Sequence, residues 1–134
     1  ALMCEADGIH LGQDDWPIAE VRKIFGNKII GLSTHSPEQA QKAVTDGADY
    51  IGVGPIYTTQ TKDNVCAAVG LEYLDYCVKN IPLPQVAIGG IKVHNLPEVI
   101  KTGAKSIALV TEIVGADDIT AKVKELNKLM NDQI

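Results

Sequence analysis

The sequence predicts a parallel α/β fold built from five strand–helix units, on three observations. Short segments rich in β-branched residues recur five times, each running into glycine or a hydroxyl residue. Their anchor isoleucines, Ile9, Ile30, Ile51, Ile88 and Ile107, lie 21, 21, 37 and 19 residues apart, room enough for a helix and too much for a hairpin. The stretches between them carry helix start and stop signals. Strands that alternate with helices run parallel, joined by right-handed crossovers.

The first strand is expected at 7–12 (DGIHLG), followed by a helix over 18–25 with apolar residues at 18, 21, 24 and 25. The second strand is 28–34 (KIIGLST). Ser36-Pro37-Glu38-Gln39 then reads as a capping box with proline at the first helical position, where its missing N–H does no harm. Gly47 stands where a helix end needs a left-handed residue. The third strand is 49–55 (DYIGVGP) and the fourth 85–90 (QVAIGG). Asn95-Leu96-Pro97-Glu98 resembles a second helix start, with Gly103 at its end. The fifth strand is 106–111 (SIALVT), and a last helix over 118–130 aligns Ile119, Val123, Leu126 and Met130 on one face.

Within each strand one row is bulky: Ile9/Leu11, Ile30/Leu32, Ile51/Val53, Val86/Ile88 and Ile107/Leu109. The alternate row is small or polar: His10/Gly12, Gly31/Ser33, Gly52/Gly54, Ala87/Gly89 and Ala108/Val110. Because successive side chains point to opposite faces, the bulky row is expected under the helices and the small row toward the interior. Glycine weakens a strand, so the inward glycines imply either close approach of a ligand or tight internal packing.

Composition narrows the function. The chain has 134 residues and 46% apolar content, enough for a core and too apolar for a disordered chain. No apolar run approaches the roughly 20 residues of a membrane-spanning helix. With no leader-like start either, the expected location is the cytoplasm and no membrane partner is expected. Net charge is −5 and the 12 Lys/Arg are scattered, which argues against a nucleic-acid partner. Cys4, Cys66 and Cys77 form no CxxC and no zinc spacing, and read as ordinary thiols.

Sites in parallel α/β folds lie at the C-terminal ends of the strands. Here those ends are Gln13-Asp14-Asp15, Ser33-Thr34-His35, 55–62, Gly89-Gly90-Ile91 and Val110-Thr111-Glu112, a set suited to an anion and a divalent metal. Gly89-Gly90 and Val110-Thr111 can offer backbone N–H groups and a hydroxyl to a phosphate. Asp14 and Asp15 are hard oxygen ligands of the kind Mg2+ prefers, or simply acidic residues before a helix start. Thr58-Thr59-Gln60-Thr61-Lys62 either grips phosphate oxygens or forms a polar surface loop. Ser33 faces the site or sits as a satisfied core serine. His35 is placed for acid–base work or for a helix start. His10 reads as hydrogen-bonded packing, His94 as a solvent-exposed turn residue, and Trp16 as a packing anchor.

Five segments together resemble thiamine-phosphate synthase: ADGIHLGQDD (6–15), IIGLSTHS (29–36), GADYIGVGPIYTTQTK (47–62), VAIGGI (86–91) and GAKSIALVTEI (103–113). GVGPIY followed by TxTK is the most specific of them. The resemblance implies a TIM-type (β/α)8 barrel of the phosphate-binding kind, of which 1–134 would be a single domain holding only the last five strand–helix units. It implies a transferase of thiamine biosynthesis that couples an aminopyrimidine pyrophosphate to a thiazole phosphate and releases pyrophosphate. Asp15 would then be a Mg2+ ligand, and Ser33 and Lys62 would hold the pyrophosphate as the catalytic pair. Thr59, Gln60, Thr61 and Lys62 would line the substrate site, completed by Gly90, Val110 and Thr111. Thr111 stands where the family often has serine, and Thr58 where proline is frequent. Family members also carry three more units ahead of ADGIHLGQ, with further pyrophosphate and metal ligands; 1–4 reads as the tail of the third helix.

Two alternatives follow from the same residues. A thiazole tautomerase of the same superfamily would use a histidine at about His35, but typically lacks the TxTK element present here. A phosphate-binding fragment without activity of its own would need an N-terminal partner segment or a second copy of the chain to cover its open strand edges.

Overall fold

The computed structural model describes residues 1–60 and 66–131. A single 3-10 turn, Leu2–Cys4, comes first, where the tail of a helix was expected. The strands are β1 (Gly8–Leu11), β2 (Ile29–Thr34), β3 (Tyr50–Val53), β4 (Gln85–Ile88) and β5 (Ser106–Ala108). Between and after them run α1 (Ile18–Phe25), α2 (Pro37–Asp46), α3 (Gly70–Asn80), α4 (Leu96–Lys101), α5 (Thr111–Val114) and α6 (Ile119–Asn131). All strands pair in parallel, in the order β1-β2-β3-β4-β5. The α/β expectation and all five strands are therefore met. β5 is shorter than expected, because the chain turns into α5 at Thr111.

Local signals explain most boundaries. Ser36 caps α2 by accepting from the N–H of Gln39 at 3.3 Å. Gln39 completes the turn on a different donor from the usual box, accepting from the N–H of His35 at 2.7 Å. Gly47 (φ +85°) ends α2 in the left-handed region, as anticipated. Asn95 departs from its expected role. It makes no side-chain cap on α4, but accepts from the N–H of Lys92 at 2.7 Å and donates to the carbonyl of Gly90 at 3.1 Å.

The core lies between the sheet and its helices. Ile30, Ile51 and Val53 from the strands meet Leu74 and Cys77 of α3 and Leu96 and Val99 of α4, all fully buried. Burial pushes the Cys77 thiol pKa up, so it stays a neutral core group. Thr34 is the buried polar residue of this layer. It donates to the carbonyl of Gly52 at 2.9 Å and accepts from Tyr73 at 2.7 Å.

The two-row reading holds for β1, β2, β3 and β5 and fails on β4. Register sets Ala87 beside Val53 and Ile107, so Ala87 is the buried, helix-facing residue. Val86 lies beside Gly52 on the opposite face, and Ile88, 40% exposed, lies beside Ala108. This face of β4 is accommodated by the glycine that follows β3. A Cβ on Gly54 would lie 2.2 Å from the carbonyl oxygen of Ile88 and 3.0 Å from its Cγ2. Gly31 has the same kind of reason: a Cβ there would fall 2.1 Å from the Tyr50 ring and 2.6 Å from His10 Nδ1. Close approach of the sheet's own atoms, the Ile88 carbonyl at Gly54 and the Tyr50 and His10 rings at Gly31, thus accounts for these inward glycines. Trp16 is 68% exposed, so it anchors no core; it borders a shallow recess beside β1 with Ile9, Ile24 and Phe25.

Candidate active site

The C-terminal ends of the strands surround a cavity of about 620 Å³. Ser33, Thr59, Gly90, Val110 and Thr111 all line it, so five of the residues singled out from the sequence converge. Gln13, Asp14, His35, Gln39 and Cys66 line it as well. Gln60 is exposed and does not border it. Thr61 and Lys62 lie outside the described residues.

Each wall has an identifiable support. On the first, His10 is held between Tyr50 and Ser33: Nδ1 is 2.8 Å from the Tyr50 hydroxyl and Nε2 is 2.8 Å from Ser33 Oγ. Gly31 leaves the space this cluster occupies. Burial raises the Tyr50 pKa, so the phenol remains protonated at neutral pH. The Gln13 side chain closes over β2 and donates to the carbonyl of Ser33 at 2.6 Å. His35 Nδ1 is 2.5 Å from the carbonyl of Gly54. A carbonyl only accepts, so Nδ1 is the donor in this contact.

The opposite wall joins the loop after β3 to the ends of β4 and β5. Residues 55–57 run alongside β4, with the N–H of Ile56 donating to Ile88 at 2.9 Å and that of Tyr57 to Gly89 at 3.0 Å. Gly90 has φ +65°, and a Cβ on it would lie 2.7 Å from the carbonyl oxygen of Thr58. No larger residue fits there without moving that loop. Tyr57 donates to Glu98 of α4 at 3.1 Å, and burial first, then this carboxylate, raises the phenol pKa. Thr111 Oγ1 accepts from Lys92 Nζ at 2.6 Å. Lys92 was not foreseen; a lysine two residues past Gly89-Gly90 was the available signal.

The acidic pair divides. Asp14 lines the cavity. Asp15 turns its carboxylate back to accept from the N–H of Gly12 at 2.6 Å and faces the recess beside β1. Among the described residues no three His, Cys, Asp or Glu cluster as a protein-only metal cage. Mg2+ commonly takes one or two carboxylates and completes its shell with water and substrate phosphates. Asp14 stands at the cavity for such a role, whereas one oxygen of Asp15 is committed to Gly12 and only its other oxygen is left for a metal. His94 is exposed in its turn, as expected. Among the described residues no helix is long and apolar enough to cross a membrane.

The family model described as thiamine monophosphate synthase matches residues 1–113. A thiamine-phosphate synthase of Pelotomaculum thermopropionicum is 64% identical over 132 residues, which are 98% of this chain and 61% of that protein. A solved thiamine phosphate pyrophosphorylase from Pyrococcus furiosus superposes with TM-score 0.89 at 39% identity, covering 99% of this chain and 63% of that one. A 3-hexulose-6-phosphate synthase from Salmonella typhimurium has TM-score 0.73 at 14% identity, over 99% of this chain and 65% of that one; it shares the fold alone. The chain thus spans about 60% of the length of such relatives, 61% in the first case. With a matching family model over most of its length and this identity to a synthase, the chain belongs to the thiamine monophosphate synthase family.

Proposed function

We propose that the cavity is the thiazole-phosphate side of a thiamine-phosphate synthase active site, and that the five units are the last five of a (β/α)8 barrel. The observation that carries the reading is the convergence of Ser33, Thr59, Gly90, Val110 and Thr111 on one cavity at the C-terminal ends of parallel strands. The substrates would be an aminopyrimidine pyrophosphate and a thiazole phosphate. Loss of pyrophosphate leaves a pyrimidine-methyl cation, which the thiazole nitrogen captures.

In this scheme the backbone N–H groups near Gly90 and Val110, with the hydroxyls of Thr111 and Thr59, hold the thiazole phosphate; the family resemblance would add Gln60 and Thr61 to them. Ser33 and Lys62 hold the leaving pyrophosphate, the lysine as a point charge and the serine as a directional donor. Such groups accelerate the reaction because negative charge grows on the leaving group in the transition state. Asp15 would supply one carboxylate to Mg2+, whose chemistry when bound is to neutralise that growing charge.

The test is formation of thiamine phosphate from both substrates with Mg2+, followed by thiochrome fluorescence. In the full-length protein, Lys62→Ala is expected to lower turnover by roughly 10²-fold or more, the scale for losing one transition-state charge contact. Unchanged kinetics would overturn the role given to Lys62.

A further inference from the structure

Lys92 leaves the loop after β4 and reaches across to the end of β5. Its amine is 2.6 Å from Thr111 Oγ1 and 3.6 Å from the carboxylate of Glu112. Glu112, whose side chain is 17% exposed, is held from its other oxygen by Lys122 of α6 at 3.6 Å. The backbone on the Lys92 side is fixed too, since Asn95 ties the N–H of Lys92 to the carbonyl of Gly90. The two cavity-lining stretches around Gly90 and Thr111 are therefore linked through one side chain.

Hydrogen-bond chemistry gives that link a direction. An ammonium has three donors and no acceptor, so the Thr111 oxygen must accept from Lys92. The hydroxyl's own proton is then available to a different partner, and Thr111 borders the cavity. Resting on the phosphate reading above, we propose that Lys92 is a positioning residue: it fixes the Thr111 hydroxyl as an acceptor on one side and turns its proton toward a phosphate oxygen in the cavity. Glu112 and Lys122 keep the amine in place and balance its charge.

The measurement is calorimetric titration of inorganic phosphate into the 134-residue chain and its variants. Lys92→Met is expected to weaken binding about tenfold, the scale of one hydrogen bond to a charged group, and Lys92→Arg to restore most of it. The decisive comparison is the double variant. A residue acting through Thr111 should add little once the hydroxyl is gone, so Lys92→Met in a Thr111→Val background should change binding less than about twofold. Equal weakening in both backgrounds would mean that Lys92 acts by its charge alone, and would overturn the proposal. So would phosphate binding that Lys92→Met leaves unchanged. Should Lys92→Met not fold, Lys92→Gln takes its place. Failure of the unmodified chain to bind phosphate would overturn the reading of the cavity itself, and this inference with it.

Discussion

Asp49, in the turn before β3, accepts from Arg22 at 2.8 Å and from the N–H of Ile30 at 2.7 Å. Arg22 also donates to the carbonyls of Lys28 and Gly47, so this pair fastens α1 to β2 and to the end of α2. Arg22 first, then the Ile30 N–H, holds the Asp49 carboxyl below its ordinary value. A depressed carboxyl stabilises the fold above the unfolded value near pH 4, and that contribution disappears as pH falls through the lower folded value. Asp49→Asn should therefore lower the thermal midpoint at neutral pH and converge with the unmodified chain in acid. A constant gap across the titration would show that charge is not the reason. The side chains are 45% and 32% exposed, so the effect belongs to the modest range of surface pairs. At this scale sequence reasoning reached Ser33 and His10, because strand alternation places both inward. It missed Lys92, because the partner that makes it informative lies nineteen residues away, at the start of α5.

Among the elements, β4 and α6 depart most from a simple pattern. The row of bulky residues in β4 was assigned to the helices by size, yet Ala87 takes that place. Only the pairing with β3 and β5 sets which face each β4 residue occupies, since a one-residue change of phase exchanges the two faces. α6 has the expected apolar stripe, but Ile119 and Val123 on it are exposed and Leu126 is its buried anchor. Lys122 ties the same helix to Glu112. Leu126→Ala should cost roughly 2–5 kcal/mol if α6 stays docked, and less if the helix simply lets go. Hydrogen exchange separates the cases: α6 amides should lose protection while those of β3 keep theirs. Equal loss in both elements would contradict local release.

Across the whole molecule, β1 and β5 each have one strand neighbour among the described residues. Large apolar side chains are exposed toward the first edge (Trp16, Ile24, Ile29) and near the last helices (Val114, Ile119, Val123). Unpaired edges with apolar surroundings favour association. Light scattering on the 134-residue chain should give an average mass that rises with concentration. A version extended to the full length of its relatives should show a smaller rise, because barrel closure would cover the same edges. A mass that stays monomeric at every concentration would count against edge pairing.

The alternation of strand and helix, the parallel order of the units, the stop of α2 at Gly47 and the identity of most cavity-lining residues were determined by the sequence alone. These depend on local chemistry or on side-chain periodicity, both carried within a few successive residues. Three-dimensional packing decided the phase of β4, the exposure of Trp16 and the Lys92–Thr111 link. Each of these depends on what a side chain meets across the sheet or beside it. Partners far apart in sequence leave no periodic trace for a linear reading to follow.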